Sequence, residues 1–192
     1  MTHEEMIARL KTELNEHRFS HTLGVAAEAQ RLAARFGADP EKAYVAGLLH
    51  DCAKNFSAER VKEYCEKYSV TLDPYCDKEK ALIHAFLGPV VAKNDYGVGD
   101  EEILSAIYYH TTGKENMTPL EKLIYIADMT EPGRKMDYLP ELRAMLDDGD
   151  VDGALVYGLS SSICYVIKKG NLVHPHSIHA RNYLIENRRK NS

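Results

Sequence analysis

Six ionisable side chains fall on the apolar faces that helical periodicity predicts along this chain. An imidazole or a carboxylate at such a position points towards the core, where burial without a partner is costly. Two of the six are adjacent, at the end of the apolar run in "VAGLLHDCAK". The residues are His21, His50, Asp51, His84, His110 and Asp128. Either each side chain finds a partner of its own, or all of them share one.

A shared metal centre would solve the burial problem of all six side chains together. A single histidine or aspartate on an inner helix face is more often a satisfied core residue than a ligand, so each residue alone fits both interpretations. Six of them on five predicted helices favour a metal centre in the core of a helical bundle, where inward side chains build such sites. Histidine and carboxylate ligands without clustered cysteines suit Fe, Mn, Zn, Co or Ni.

The elements that must position these residues are helices. Apolar spacing predicts helices over nearly the whole chain and no clear strand. Helix starts are predicted by N-caps or a capping box at Asp39-Pro40, Asp100 and Thr118. The helix that begins at Asp39-Pro40 is predicted to end on the His50-Asp51 pair. The stretches "DPYCDK" and "NLVHPH" are predicted loops. Because no Gly/Ser-rich or Pro-rich linker divides the chain, we expect one all-α domain over residues 1–192.

Composition excludes several classes of function. The chain has 192 residues, of which 28% are charged and 44% hydrophobic, and a net charge of -5. This acidic balance disfavours nucleic-acid binding through a general basic surface but permits a local site for a small anion. No stretch has the apolar length of a membrane span or of a signal-peptide core. We therefore expect no membrane partner. The four cysteines lack CxxC spacing, so we expect reduced thiols and a cytoplasmic location.

The order of the six side chains resembles a known signature. The H…HD…D part resembles the HD-domain phosphohydrolases, and the two intervening histidines resemble the HD subgroup with two metals. Six stretches are similar, in order, to motifs of the YqeK family: "RFSHTLGVA", "AGLLHDCAKN", "IHAFLGPVVA", "YYHTTG", "ADMTEPGR" and "NLVHPHSIHARN". They extend from about residue 18 to residue 182, so the resemblance covers most of the chain.

The resemblance implies an all-α HD-domain bundle with a dinuclear metal centre in its core. It places one ion on His21, His50, Asp51 and Asp128 and a second on His84 and His110, with Asp51 bridging. The ions would be divalent or mixed-valent, iron by resemblance, with Mn, Co, Ni and Zn as alternatives. It further implies a metal-binding core at about 17–134, C-terminal helices at 138–190 that complete a nucleotide site, and a homodimer. YqeK members hydrolyse diadenosine tetraphosphate symmetrically to two ADP, so this is the expected activity.

Three cationic residues are candidates for phosphate contacts. Lys54 lies one turn after His50-Asp51 if the helix continues, Arg18 lies one turn before His21, and Arg134 follows in the "EPGR" loop. Each is otherwise a solvated surface charge. The resemblance makes Lys54, Asn55, Phe56 and Ser57 one wall of the nucleotide site, with Tyr109 beside it and the ligands His21, His84, His110 and Asp128 facing the nucleotide. It implies a second wall made of Val173, His174, Pro175, His176, Ser177 and Ile178.

The expected mechanism uses a water between the two ions. Ions about 3.5–4 Å apart would lower the pKa of that water, so that hydroxide attacks a middle phosphate and ADP leaves. In this hypothesis Asp51, Lys54 and Arg134 are the catalytic residues.

Two other HD subfamilies are disfavoured by their missing motifs. The His50-Asp51 pair lacks the HDxxED continuation of (p)ppGpp hydrolases, and no Gly-Tyr-Pro motif of cyclic-dinucleotide phosphodiesterases occurs. Two alternatives stay open: hydrolysis of another nucleotide phosphoester, and a non-catalytic nucleotide-binding sensor.

Overall fold

The computed structural model describes residues 1–190, which form ten α-helices and two short 3-10 turns and contain no strand. The helices in chain order are α1 (His3–Glu13), α2 (Glu16–Phe36), α3 (Pro40–Leu49), α4 (Ala58–Tyr68), α5 (Ile83–Tyr96), α6 (Glu101–Tyr109), α7 (Pro119–Thr130), α8 (Leu139–Asp147), α9 (Val151–Lys168) and α10 (Pro175–Lys190). The 3-10 turns are Pro74–Asp77 and Lys80–Leu82. The predicted all-α class is confirmed. No helix among the described residues is long and apolar enough for a membrane span.

Side-chain caps start α3, α6 and α7, which lead to four of the six candidate residues. The Asp39 carboxylate accepts hydrogen bonds from the first backbone amides of α3, and Asp100 does the same for α6. Thr118 and Glu121 form a reciprocal capping box at the start of α7. Each such cap stabilises its helix by roughly 0.5–2 kcal/mol, because it satisfies amides that have no partner within the helix. The starts of α3, α6 and α7 therefore lie where the sequence predicts them.

Five helices surround the core that carries the candidate residues. Helix α2 packs against α3 and α7, while α6 packs against α3, α5 and α7. Gly47 allows the close approach of α3 to α2, because a Cβ at this position would lie 2.9 Å from the Cα of Ala26. This contact brings the last turn of α3 against the middle of α2. Helices α8, α9 and α10 pack as a second group, which touches the core through α7.

Helix ends differ from the prediction in three places. His50 follows the last residue of α3 and Asp51 lies in the turn after it, rather than both ending the helix. The predicted "DPYCDK" loop contains a 3-10 turn, because the Asp73 side chain caps it by accepting from the Tyr75 amide. Helix α10 begins at Pro175, inside the predicted loop, since proline suits the first helical position. Residues 191–192 of the predicted domain lie outside the described part.

Candidate metal centre

The backbone after α3 orients the first pair of candidate ligands. His50 is fully buried, and its Nδ1 lies 2.7 Å from the carbonyl oxygen of Gly47. Because a carbonyl only accepts, Nδ1 carries the proton and donates it, and Nε2 presents a lone pair to the interior. The next residue, Asp51, is 2% exposed and projects its carboxylate beside that lone pair, with Oδ2 3.6 Å from Nε2.

A first group of potential ligands forms around this pair. The ligand atoms of His21, His50 and Asp51 all lie within 4.8 Å of one another. Asp128 from α7 joins them, with its Oδ1 2.9 Å from His21 Nε2 and 3.9 Å from His50 Nε2. The structure therefore brings together the four residues that the resemblance places on one ion.

A second group shares Asp51 with the first. The ligand atoms of Asp51, His84 and His110 also lie within 4.8 Å of one another. Asp51 Oδ1 is 3.1 Å from His84 Nε2 and 3.8 Å from His110 Nε2. His110 repeats the arrangement of His50, since its Nδ1 donates to the carbonyl of Ile107 at 2.7 Å and leaves Nε2 facing the group. One buried carboxylate thus lies between two sets of imidazoles.

The two carboxylates are ionised at neutral pH. Burial alone would raise the pKa of Asp51, but His50, His84 and Lys54 outweigh it and hold the pKa well below its usual range. Burial opposes ionisation of Asp128 in the same way, but the close contact with His21 and the nearby charges of His50 and Arg134 outweigh it and lower its pKa. Ionised carboxylates are the form that binds metal ions.

Two of the imidazoles are neutral because burial, which disfavours the charged form, outweighs the nearby carboxylate charge. Burial lowers the pKa of His110 to about 3, with further lowering from His84 and His50. Burial also lowers the pKa of His84. His21 differs, because its contacts with Asp128 and Glu131 outweigh burial and raise its pKa. Neutral imidazoles are ligands for transition metals, so His84 and His110 already have the protonation state required for ligation.

The site fits a divalent metal ion by two observations. The buried Nε2 atoms of His21 and His50 have no hydrogen-bond partner among the described residues, although buried polar atoms in proteins are nearly always paired. The 2.9 Å approach of His21 Nε2 to Asp128 lacks hydrogen-bond geometry, as expected when two ligand atoms point at a common position. Imidazole nitrogens with carboxylate oxygens are a donor set for Fe, Mn, Co, Ni or Zn.

Three cations surround the carboxylates at the edge of the centre. Arg18 Nη1 is 2.9 Å from Asp51 Oδ2, and Arg134 Nη2 is 2.6 Å from Asp128 Oδ1. Lys54 lies in a turn rather than in a continued helix, yet its Nζ is 3.8 Å from Asp51 Oδ1 and within 3.2 Å of the His84 ring nitrogens. All three side chains are partly exposed, so the edge of the centre presents positive charge to solvent.

The residues predicted for the first nucleotide wall lie beside this edge. Lys54, Phe56 and His84 line a cavity of about 300 Å³. The Arg60 guanidinium carbon lies 3.8 Å from the centroid of the Phe56 ring, and Ser57 is the N-cap of α4. Asn55 and Ser57 are exposed.

The predicted second wall lies at the start of α10. His174 is buried, and its ring lies 5.6 Å from that of Phe86. The His176 ring lies 5.8 Å from that of Tyr109, which places Tyr109 beside this wall. His174 Nε2 and His176 Nδ1 are buried without a hydrogen-bond partner within residues 1–190. Within residues 1–190, no hydrogen bond, ion pair or ring contact joins residues 173–178 to residues 54–57.

Glu131 is a site residue that the sequence reasoning did not name. It is 5% exposed, and its Oε1 lies 3.1 Å from His21 Nδ1 while its Oε2 accepts from the Gly133 amide at 2.5 Å. Gly24 makes room for it, because a Cβ there would lie 2.7 Å from Oε2. The available signal was proximity in the sequence, since Glu131 follows Asp128 by three residues and caps the C-terminus of α7.

Comparison with known proteins places this geometry in a family. Residues 18–133 of this chain match a protein family described as "HD domain". "Bis(5'-nucleosyl)-tetraphosphatase, symmetrical" from Bacillus subtilis is 38% identical over 96% of this chain and 98% of its own, and the protein of that name from Halalkalibacterium halodurans is 33% identical over 96% and 98%. A crystal structure from Clostridium acetobutylicum, described as a predicted HD superfamily hydrolase involved in NAD metabolism, has a TM-score of 0.91 and 41% identity, covering 97% of this chain and 98% of that one. The chain therefore belongs to the HD-domain family and, within it, to the YqeK family that its motifs resemble.

Proposed function

We propose that this protein hydrolyses diadenosine tetraphosphate symmetrically and releases two ADP, using a metal centre held by the four histidines and two aspartates of the ligand cluster. The observation that carries the proposal is Asp51, a buried carboxylate shared by two groups of potential ligands. It occurs in a chain whose near-full-length relatives are named symmetrical bis(5'-nucleosyl)-tetraphosphatases. A carboxylate between two ligand groups fits the closely spaced pair of ions that two-metal hydrolases use.

The proposed centre contains two ions. His21, His50, Asp51 and Asp128 would hold the first, and His84 and His110 the second, with Asp51 between them. Iron is the proposed metal, and Mn, Co, Ni and Zn accept the same donor atoms. When bound, such ions lower the pKa of a coordinated water and neutralise charge on phosphoryl oxygens.

The surrounding cations would bind the tetraphosphate. Arg134 and Arg18 present planar guanidinium groups, which suit bidentate contact with phosphoryl oxygens, whereas Lys54 acts as a point charge. Support comes from their positions, since all three contact the carboxylates of Asp51 and Asp128 at the solvent-facing edge. With Asp51, the residues Lys54 and Arg134 are the proposed catalytic set, because they would touch the attacked phosphate.

The remaining predicted residues would hold the nucleoside. Residues 54–57 and Tyr109 would flank one half of the substrate, and residues 173–178 would contact the base and the sugar through backbone groups and side-chain rings. In this proposal residues 17–134 form the metal-binding core of a single HD domain, and helices within 138–190 complete the nucleotide site. A cytoplasmic homodimer is proposed on the family resemblance.

The test is metal-dependent turnover. Purified protein should be stripped with a chelator, reloaded with Fe²⁺ or Mn²⁺, and incubated with diadenosine tetraphosphate while ADP is quantified. We expect multiple turnovers after reloading, none after stripping, and a loss of at least about 100-fold in kcat for Asp51→Asn, as removal of a group that stabilises transition-state charge predicts. Tight nucleotide binding without ADP release would contradict the proposal and favour the non-catalytic sensor.

A further inference from the structure

Among the cavities beside the candidate metal centre, two share no lining residue with each other. The cavity of about 300 Å³ is the one lined by Lys54 and His84, described above. The other has about 390 Å³ and reaches His110 and Asp128. We call it the α7–α9 cavity, because its walls come from these helices and from the segment between α7 and α8. The two cavities therefore approach different members of the ligand cluster.

The α7–α9 cavity carries the chemistry that a nucleoside phosphate requires. Its inner end holds Arg134, whose guanidinium lies against Asp128 and could bind a phosphate. Its walls include the rings of Tyr138 and Tyr165, which offer faces for base stacking, and the hydroxyl of Ser162. Tyr165 is 54% exposed, so about half of its side chain is open to solvent at the wall of the cavity.

The substrate of the proposed function demands two such places. Hydrolysis between the second and third phosphates leaves an ADP unit on each side of the broken bond. The attacked phosphorus must lie at the metal centre, so the two nucleosides extend away from it in different directions. Each cavity is close to the minimum volume of a small-molecule site, roughly 300 Å³. Neither cavity is therefore large enough to hold both ADP units of the dinucleotide.

We propose that the α7–α9 cavity is a second nucleoside subsite, which binds one ADP half of the substrate while the other half lies along the cavity of Lys54 and Phe56. This inference rests on the proposed function. Arg134 would hold the phosphate where the subsite meets the centre, and Tyr165 and Tyr138 would stack on the base. Tyr165 is then a specificity-determining residue that acts on binding and not on the chemical step.

The first test separates substrates with two nucleosides from those with one. For Tyr165→Ala we expect the KM of diadenosine tetraphosphate to rise at least about fivefold, the lower end of a base–aromatic stack, with kcat changed by less than about twofold. The KM of adenosine 5'-tetraphosphate should stay unchanged, because its single nucleoside uses the intact cavity. Ile167→Ala is the matched control, since Ile167 lies two residues further along α9, is 60% exposed and is outside the cavity. An unchanged KM for both substrates, or an equal rise, would overturn the proposal.

The second test does not depend on turnover. Equilibrium dialysis of Mn²⁺-loaded protein against ADP should give two bound ADP per wild-type chain and one per chain of Ser162→Trp, whose indole fills the α7–α9 cavity. One ADP per wild-type chain would overturn the subsite. If the wild type makes no ADP from the dinucleotide, the proposed function fails, and the dialysis still decides whether the second subsite exists.

Discussion

Replacement of Glu131 tests whether a residue outside the ligand set controls metal binding. Its carboxylate faces two donors, the Nδ1–H of His21 and the amide of Gly133. With Nδ1 protonated, His21 Nε2 keeps a lone pair for the centre, which is the usual effect of a carboxylate behind a metal-binding histidine. In Glu131→Ala both donors lose their acceptor, and the His21 proton can move to Nε2, where it would block ligation.

The expected loss follows from these contacts. Removing an outer carboxylate of this kind lowers metal affinity about 10- to 100-fold, and an unsatisfied buried donor costs about 1–3 kcal/mol of stability. Glu131→Gln should fall between the wild type and Glu131→Ala. Its amide has one oxygen for two donors, so the amide NH₂ must face the His21 or the Gly133 N–H.

The assay is calorimetric titration of the stripped protein with Mn²⁺, together with thermal melting. Glu121→Gln is the matched control, because Glu121 is a fully buried carboxylate near the start of α7, bonded to Ser105 and Thr118, whereas Glu131 caps the other end of the helix. It should lower the melting temperature and leave the Mn²⁺ affinity unchanged. Wild-type affinity in Glu131→Ala, or an equal loss in Glu121→Gln, would refute the reasoning.

Three further predictions use other parts of the structure. Gly24→Ala should weaken Mn²⁺ binding in the same titration, since the new Cβ would lie 2.7 Å from the Glu131 carboxylate, whereas Gly99→Ala meets no atom within 4 Å and should not. Chelation should lower the melting temperature and Mn²⁺ should restore it, because bound metal stabilises only the folded chain; a melting curve indifferent to both would argue against a metal centre. The Arg60 guanidinium lowers the pKa of Glu13, so this pair stabilises the fold above the unfolded pKa of about 4.3 and the contribution is lost as pH falls through the lower folded pKa. Urea unfolding between about pH 3 and 7 should show a smaller acid loss in Glu13→Gln, and an identical pH dependence would contradict the assignment.

Features written locally in the sequence were predictable. Helical periodicity gave the fold class, and the caps at Asp39, Asp100 and Thr118 marked the starts of three core helices, because a cap is a contact between near neighbours. The six potential ligands could be named because each breaks an apolar stripe. Their convergence was an inference from burial cost and from family motifs. The structure brings five of them together in two groups that share Asp51, and Asp128 lies beside His21.

Features that depend on packing between distant segments were not predictable. Glu131 contacts His21 across 110 residues, and no local pattern marks that contact. The α7–α9 cavity is likewise formed by Arg134, Tyr138 and Tyr165, whose separate elements meet only in the fold. Lys54 shows a third case: its proximity to Asp51 was expected only if the helix continued, yet the side chain reaches Asp51 from a turn.

The most direct test of symmetrical hydrolysis is product analysis in H₂¹⁸O. Metal-loaded protein would be incubated with diadenosine tetraphosphate, and the products resolved by chromatography and mass spectrometry. Attack of water on a middle phosphate predicts ADP as the sole nucleotide product, with one ¹⁸O atom in the β-phosphate of half of the ADP molecules. AMP together with ATP, or no turnover by the loaded protein, would contradict the account.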